Sequence, residues 1–376
     1  MNKYLAILIF QVFYFLGCSQ TNSDFKRYVD RAVNYFNNGD YKNAIAYYDS
    51  ILILKPEMAV AYKSRGQSYL NIGELAHGIQ DLEKAISFEP LNIEQYHILG
   101  IGYSMNKQEL EAIKTLEQGI QIDDSNIDLI ITYAGMLFRV GEYEKAKNSY
   151  QKIYAIDVNN IDNEYFFGTT LGVLGDSISK TKHLESLLNK EIDDYLRLTI
   201  YTELERYNDF KMLKEKVEKT SYDKVYLQIL ISENYSKQKL YKLAISEYED
   251  LIKQGEHSSS LLNSLSWCLI KSGDYKKALQ YCNQLLNENK NDYNALGNRG
   301  NVFLKTGNYK SAEIDFKKAI QLRPAHPGVY KLYGDLLMEQ GKNNEACTNY
   351  KTAIERFYVN LYEEYEILEI TKNNCR

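Results

Sequence analysis

Residues 307–312 read GNYKSA, and close variants of this hexapeptide begin at three other glycines of the 376-residue chain. The variants are GDYKNA from Gly39, GEYEKA from Gly141 and GDYKKA from Gly273, so successive copies are 102, 132 and 34 residues apart. The first spacing is three times the last. A fixed period of this length is typical of a protein that stacks one supersecondary unit many times.

Steps of 34 residues, aligned on these hexapeptides, divide the chain into units. They begin near residues 25, 59, 93, 127 and 161, and again near residues 225, 259, 293 and 327. Between 161 and 225 lie 64 residues, which hold one complete unit and one shortened unit. The sequence therefore predicts a first array over 25–160, a degenerate helical segment over 161–224 and a second array over 225–356.

Within each unit, apolar residues recur twice at helical spacing on either side of a turn, which predicts two antiparallel helices. Small residues occupy the eighth and twentieth positions, as Gly66 and Gly78 do in the second unit, where the two helices approach each other. Aromatic residues such as Tyr69 and Phe316 are expected to fill the spaces between units. Three of the four prolines stand at the thirty-second position, where a helix ends: Pro56, Pro90 and Pro324.

In these features the chain resembles the tetratricopeptide repeat family. The unit that begins at residue 293 carries the family's pattern at Leu296, Gly300, Phe303, Gly307, Tyr309, Ala312, Phe316, Ala319 and Pro324. The resemblance extends over roughly residues 25–356 and is weakest over 161–224, where Lys180 replaces the small residue. It implies an all-α fold, an α-solenoid of about ten helix-turn-helix units in a right-handed superhelix.

The resemblance also implies a groove lined by the first helix of each unit, which in this family binds a peptide or a helix. The family's groove positions in the second array hold Asn263, Trp267, Asn294, Asn298, Asn301, Lys305, Lys331 and Asp335. Two interpretations stay open for the asparagines, which either bind an extended peptide backbone or lie on a solvated face. Trp267 either contacts a partner or packs against the neighbouring helix.

The first 18 residues carry a targeting pattern. Lys3 precedes a 13-residue apolar run over 4–16, which is too short to span a bilayer, and Gly17 and Cys18 follow it. This arrangement resembles the bacterial lipoprotein signal, which implies a signal peptide over 1–17, a lipidated Cys18 and a short tether over 18–24. Residues 15 and 16 depart from the usual pattern, and an ordinary secretory leader, or one that stays uncut, is the alternative.

With Cys18 set aside, four cysteines are left, an even number that suits an oxidising compartment. Cys347 belongs to the last repeat and Cys375 lies near the chain end, beyond the amphipathic segment predicted to cap the array over 357–376. A disulfide between them would fix the cap to the repeat, and two free thiols are the alternative. We expect Cys268 and Cys282 to be buried and unpaired.

Nothing in the sequence points to catalysis or to nucleic acid. The net charge is −5 and the positively and negatively charged residues are interspersed along the chain, so no basic stripe is present. The five histidines lie far apart and no phosphate-binding loop or nucleophile motif occurs, so we expect no metal and no cofactor. An enzyme of unfamiliar type, with Asp193, Asp194, Glu203 and Glu205 at its site, is a remote alternative.

The sequence thus predicts a non-catalytic scaffold, tethered to a membrane by Cys18, that binds a peptide or protein of the cell envelope in its groove. The excess of Lys, Asn, Ile and Tyr resembles proteins of Bacteroidetes, and the lipoprotein resemblance implies the periplasmic side of the outer membrane. A narrower alternative, by analogy alone, is an accessory lipoprotein of outer-membrane assembly, secretion, gliding or cell-wall hydrolase control.

Overall fold

The protein is described by a computed structural model that covers residues 24–220, 223–362 and 364–375. The predicted signal peptide and Cys18 lie outside the described residues. The described part of the chain consists of 22 α-helices joined by turns and contains no strand. The predicted all-α fold is therefore confirmed, as an α-solenoid of helix-turn-helix repeats. None of the helices described is both long and apolar enough to cross a membrane.

Twenty of these helices form ten consecutive pairs, each with a first helix (A) and a second helix (B). The first five pairs are α1 (24–37) with α2 (Tyr41–Leu54), α3 (Ala59–Asn71) with α4 (Leu75–Phe88), α5 (Ile93–Met105) with α6 (Glu109–Ile122), α7 (Ile127–Arg139) with α8 (Tyr143–Ile156), and α9 (Ile161–Val173) with α10 (Ser177–Leu188).

The other five pairs continue to the end of the second array. They are α11 (Asp194–Glu203) with α12 (Tyr207–Thr220), α13 (Lys224–Lys237) with α14 (Tyr241–Lys253), α15 (Ser259–Ser272) with α16 (Tyr275–Glu288), α17 (Tyr293–Lys305) with α18 (Tyr309–Leu322), and α19 (Pro327–Glu339) with α20 (Asn343–Glu355). Two shorter helices follow, α21 (Tyr358–Tyr362) and α22 (Glu366–Asn374).

The chain divides into two compact units, residues 1–137 and residues 138–376, and the division falls within α7. In the first unit, α3 and α4 pack so closely that a Cβ atom built on Gly66 would lie 2.9 Å from the carbonyl oxygen of Gly78. Arg65 strengthens this packing, because its guanidinium pairs with Asp49 at 2.6 Å and with Asp81 at 2.7 Å. Any larger side chain at either glycine would push the two helices apart.

In the second unit, one continuous apolar core runs from α14 to α19. Phe316 is fully buried and its ring fills the space in front of Gly300, where a Cβ atom would lie 2.6 Å from the ring. The next pair repeats the contact 34 residues later, with Tyr350 against Gly334 at the same 2.6 Å. The repeat period of the sequence is therefore a period of packing contacts.

The degenerate segment keeps its helices. Lys180, which occupies the position of the usual alanine, lies opposite Gly172, where a Cβ atom would approach the lysine Cδ to 2.5 Å. The lysine Nζ atom then reaches Glu203 at 2.8 Å. A glycine on the facing helix and a carboxylate on the next pair thus accommodate a side chain that the repeat pattern would exclude.

The segment predicted as one capping helix over 357–376 forms α21 and α22 instead. Phe357 has φ +64, a left-handed conformation that ends α20 and turns the chain before α21 begins. α22 packs against α20, and a disulfide joins Cys347 to Cys375 with the two Cα atoms 5.4 Å apart. The last repeat is therefore covered by α22 together with Tyr358 and Val359 of α21, and α21 also contacts α9.

Candidate functional site

The predicted groove residues lie on the A helices of the second unit, and two of the asparagines link one A helix to the next. Asn263 of α15 donates from Nδ2 to Asp292 Oδ2 at 3.3 Å, and Asn298 of α17 donates to the carbonyl oxygen of Asn263 at 3.1 Å. Asn263 also donates to its own helix, at Ser259 O. These two amides hold α15 against α17. Their N–H donors, which a bound peptide backbone would need, are therefore already used within the protein.

The other members of the set lie in different environments. Asn294 and Lys305, at opposite ends of α17, are exposed. Asn301 is buried, with 7% of its surface exposed, and its Oδ1 atom has no hydrogen-bond partner among the described residues. Helical spacing places Asn294, Asn298 and Asn301 on one side of α17, but the neighbouring A helices cover that side unequally.

Trp267 of α15 is half-buried and contacts the neighbouring pair. Its ring meets the ring of Tyr241 edge to face, with centroids 5.5 Å apart. The Nζ atom of Lys271, one turn further along α15, lies 5.3 Å from the centroid of the indole ring. The indole therefore packs on the neighbouring pair and presents a face to a cation of its own helix, and contact of Trp267 with a partner stays a prediction.

Two lysines on this surface have carboxylate partners. Lys331 of α19 pairs with Asp335 at 2.7 Å, and the same Asp335 accepts a hydrogen bond from the hydroxyl of Tyr350 at 3.0 Å. Lys271 pairs with Glu364 at 2.8 Å. Glu364 lies beyond the last repeat, so the chain's own C-terminal part lies against the predicted groove surface.

This C-terminal part, residues 357–362 with 364 and 365, is called the strap below. Asn360 donates from Nδ2 to the carbonyl oxygen of Val173 at 2.8 Å, which supplies a partner to the last turn of α9. The ring of Phe357 meets the ring of Tyr143 edge to face at 5.5 Å. The strap therefore touches helices at the beginning, middle and end of the second unit.

Electrostatics at the strap favour an ionised Glu364. Burial alone raises the pKa of this carboxyl, but the hydrogen bonds from Lys271 and Tyr358, together with the charges on Lys271 and Lys331, outweigh burial and hold the pKa below its usual value. Tyr358 is only 5% exposed and donates its hydroxyl proton to Glu364 Oε2, and burial followed by this carboxylate raises the pKa of the phenol. Lys271, Glu364 and Tyr358 form one connected group.

Sequence reasoning missed this arrangement because it assigned residues 357–376 to a cap on the last repeat. Tyr358 and Tyr362 are separated by one helical turn, and their rings are in contact with centroids 4.9 Å apart and planes tilted by 34°. The tyrosines followed by an acidic run were visible as a departure from the repeat pattern. Nothing in that pattern pointed to α9 or α15.

The carboxylates of the remote enzymatic alternative do not form a group. Asp193 caps the N terminus of α11, where its side chain accepts from the Leu196 amide, while Glu203 ends the same helix. A ten-residue helix separates the two by about 15 Å. Glu203 pairs with Lys180 at 2.8 Å and with Lys237 at 3.4 Å, so its environment is that of a structural ion pair.

A second polar cluster joins α9 to α10. Glu164 is 4% exposed and accepts from Ser186 at 2.6 Å and from Lys190 at 3.0 Å, and the His183 ring lies 3.2 Å from it. The Ser186 hydroxyl is directed to the carboxylate and not to the imidazole, so the pair lacks the nucleophile–base contact of an acyl-transfer site. Among the described residues, no group of three or more His, Cys, Asp or Glu side chains could hold a metal.

Comparison with known proteins gives family matches in both compact units. Two models described as tetratricopeptide repeat match the chain, one over residues 293–326 and the other over residues 29–91 and 233–293. No curated protein matches the chain.

Solved structures with similar folds include two MamA structures and a yeast protein. A crystal structure of MamA is 24% identical, covers 45% of this chain and 93% of its own, and gives a TM-score of 0.42. MamA from Desulfovibrio magneticus RS-1 is 15% identical over 44% and 94% of the two chains, with a TM-score of 0.42. Yeast Tom70 is 13% identical over 99% and 96%, with a TM-score of 0.48. The family models thus identify tetratricopeptide repeats over residues 29–91 and 233–326, and the helix pairs of the structure repeat at the same period.

Proposed function

We propose that this protein is a non-catalytic scaffold that binds a segment of another protein on its second unit. The binding surface, called the A-helix face below, is formed by the A helices of that unit and carries Trp267, Lys271 and Lys331. Tetratricopeptide arrays generally serve protein–protein interaction, because stacked helix pairs present an extended surface without a closed pocket. The observation that carries the proposal is that this face already holds a polypeptide segment, the strap, through the backbone carbonyl of Val173 on α9 and the side chain of Lys271 on α15.

The chemistry of the face suits a peptide. Trp267 offers an aromatic surface, Lys271 and Lys331 offer cations, and the last turn of α9 offers a carbonyl acceptor at Val173. Aromatic side chains and desolvated charges contribute most of the free energy at protein interfaces. The exposed residues Asn294 and Lys305 extend the same surface along α17 and would contact the outer part of a longer partner.

Capture in cells tests this proposal. The double variant Trp267→Ala, Lys331→Ala should lose a discrete partner that crosslinks to and copurifies with the unaltered protein. Lys276→Ala, an exposed residue on α16 outside the A-helix face, is the matched control and should keep that partner. If the double variant retains its helical content and every partner, binding occurs on another surface and the proposed face is wrong.

We further propose that Cys18 is lipidated and tethers the scaffold to the bacterial envelope, at the outer membrane on its periplasmic side. The support is the apolar run that ends at Gly17 and Cys18. Mass spectrometry of the mature N terminus should find an acylated Cys18, and Cys18→Ser should move the protein from the membrane fraction to the soluble fraction. An uncut or unmodified N terminus would contradict the tether and leave the binding proposal intact.

A partner recovered in this way would also decide the narrower alternative. An accessory lipoprotein of outer-membrane assembly, secretion, gliding or wall-hydrolase control should copurify with a component of that system. Turnover of a substrate by the purified chain would instead favour the enzymatic alternative, for which the separated carboxylates of α11 give no support.

A further inference from the structure

We infer that the strap is an intramolecular ligand of the A-helix face, and that the partner competes with it by presenting the same chemistry, a short segment with two tyrosines and a glutamate. The inference rests on the proposed function, since it names the partner class and the regulation of that same face. It follows from where the strap lies, what it contacts and how it is held.

The location of the strap goes beyond what a cap requires. A cap must cover the end of the last pair, α19 and α20, and α22 does so with the buried Ile367. The strap contributes Tyr358 and Val359 to the same buried cluster, but it also reaches α9, where its Asn360 bonds to Val173 across 187 residues of sequence. Near α19, a Cβ atom on Gly328 would lie 3.0 Å from the hydroxyl oxygen of Tyr362, so a glycine makes room for this tyrosine.

The glutamate of the strap is recognised specifically. Glu364 accepts from Lys271 at Oε1 and from Tyr358 at Oε2, and Lys331 lies close enough to act on its charge. Charge-assisted hydrogen bonds in a half-buried setting distinguish a carboxylate from a neutral group. Because Lys271 also lies over the indole ring of Trp267, a competing carboxylate would take the same position and touch the same tryptophan environment.

The aromatic residues of the strap supply the apolar contacts. Tyr358 and Val359 are buried, while Tyr362 and Tyr365 keep large exposed surfaces. The five-residue α21 is too short to be stable by itself, and Phe357 enters it in a left-handed conformation that is unfavourable for a bulky side chain. The strap is therefore held by contacts with other elements and not by its own helix. Tyr358 and Val359 anchor it in the core of the last pair, while its contacts with α9 and α15 are the displaceable part.

Both ends of the strap are tethered. The N-terminal end continues from α20, and the C-terminal end is fixed by α22 and by the disulfide between Cys347 and Cys375, which closes a loop of 28 residues. A displaced strap thus stays close to the face at high effective concentration and can return when the partner leaves. Because the disulfide keeps the displaced strap close to the face, the strap can bind again and the competition is reversible.

Peptide binding to the purified full chain tests the inference. The probe is a fluorescent peptide with the sequence of residues 356–366, RFYVNLYEEYE. The variant Asn360→Ala, Glu364→Gln removes two strap contacts and should bind this peptide at least about tenfold more tightly than the unaltered chain, because less of the face is occupied. A third substitution, Lys271→Ala, should abolish that gain, and so should a peptide with Gln at the position of Glu364.

Glu369→Gln is the matched control, since Glu369 is an exposed carboxylate on α22, and it should leave peptide affinity unchanged. Circular dichroism establishes that each variant remains helical. A helical double variant that binds the peptide no more tightly than the unaltered chain would overturn the inference, as would equal binding after Lys271→Ala.

A second measurement needs no altered protein. The chain contains a single tryptophan, so emission from Trp267 reports on the strap site alone. Saturating peptide should increase hydrogen exchange at amides 357–362 and change Trp267 emission in the unaltered chain, and unchanged exchange there at saturation would contradict displacement. If a cellular partner binds the A-helix face but does not compete with the peptide, the proposed function stands and the inference fails. If the peptide competes with the strap but no cellular partner is found, the strap is a displaceable intramolecular ligand, and the proposed function fails together with the partner class.

Discussion

The pair α17–α18 and the pair α9–α10 occupy equivalent places in the repeat but are held together differently. In α17–α18, Phe316 packs on Gly300 and the twentieth position holds the fully buried Ala312. In α9–α10, the corresponding positions hold Leu184 and Lys180, and a polar cluster around Glu164 joins the two helices. A helix pair can therefore keep its fold without the small and aromatic residues usual at these positions, provided that its charged side chains are paired.

The family models match residues 29–91 and 233–326, and the stretch they leave without a match, 92–232, includes the degenerate segment 161–224. The models recognise small and aromatic residues at fixed positions, which are the signature of close apolar packing. Polar contacts such as Lys180 to Glu203 depend on which neighbour faces the side chain, so they leave no fixed pattern in sequence.

The largest effect is expected from the apolar pair. Phe316→Ala should lower the free energy of unfolding by about 3–5 kcal/mol, because the ring fills the space between α17 and α18 completely. Urea unfolding followed by circular dichroism measures this loss. Ile314→Ala, a 60% exposed residue two positions earlier, should change it little, and a similar loss for both would show that the aromatic packing is not specific.

A smaller effect is expected from the polar pair. Glu164→Gln should lower the free energy of unfolding by about 2 kcal/mol, since the carboxylate accepts charge-assisted bonds that an amide replaces poorly. Hydrogen exchange of α9 and α10 should increase while α17 and α18 stay protected. Protection of α9 and α10 at the level of the unaltered chain would mean that apolar contacts, chiefly Leu184, hold this pair as well.

Acid should weaken the same pair. Burial raises the pKa of Glu164, but the bonds from Ser186, Lys190 and His183 outweigh it, so the folded pKa lies below the usual value. A depressed carboxyl pKa adds stability above the unfolded pKa, and that stability is lost as pH falls through the folded pKa. Hydrogen exchange in α9 and α10 should therefore increase on acidification, by no more than Glu164→Gln causes, and that variant should lack this contribution.

The smallest effect is expected at Lys180. Lys180→Ala restores the residue type usual at the twentieth position but removes a partly exposed ion pair with Glu203, while Lys237 continues to neutralise the carboxylate. We expect a loss of about 1 kcal/mol or less in urea unfolding. A loss as large as that of Glu164→Gln would show that Lys180 anchors α10 to α11 and is not merely tolerated.

Much of the fold could be predicted because its contacts are local. Position 8 of a unit contacts position 24 of the same unit, as Gly300 contacts Phe316 and Gly334 contacts Tyr350, so such residues identify a helix pair without knowledge of distant residues. The candidate site was less predictable. Helical spacing placed Asn294, Asn298 and Asn301 on one side of α17, but their exposure depends on how α15 and α19 cover that side. Their role in binding stays a prediction.

The helix pairs, their number and their order follow from the amino-acid sequence, because a 34-residue period encodes contacts between neighbours in the chain. The position of the strap depends on the three-dimensional fold. Its contacts with Val173 and Lys271 join residues separated by 187 and 93 positions, and the free energy of such contacts depends on the stacking of every pair between them. Long-range contacts of single side chains leave no periodic trace, and for that reason the strap was visible in the sequence only as the end of the repeats.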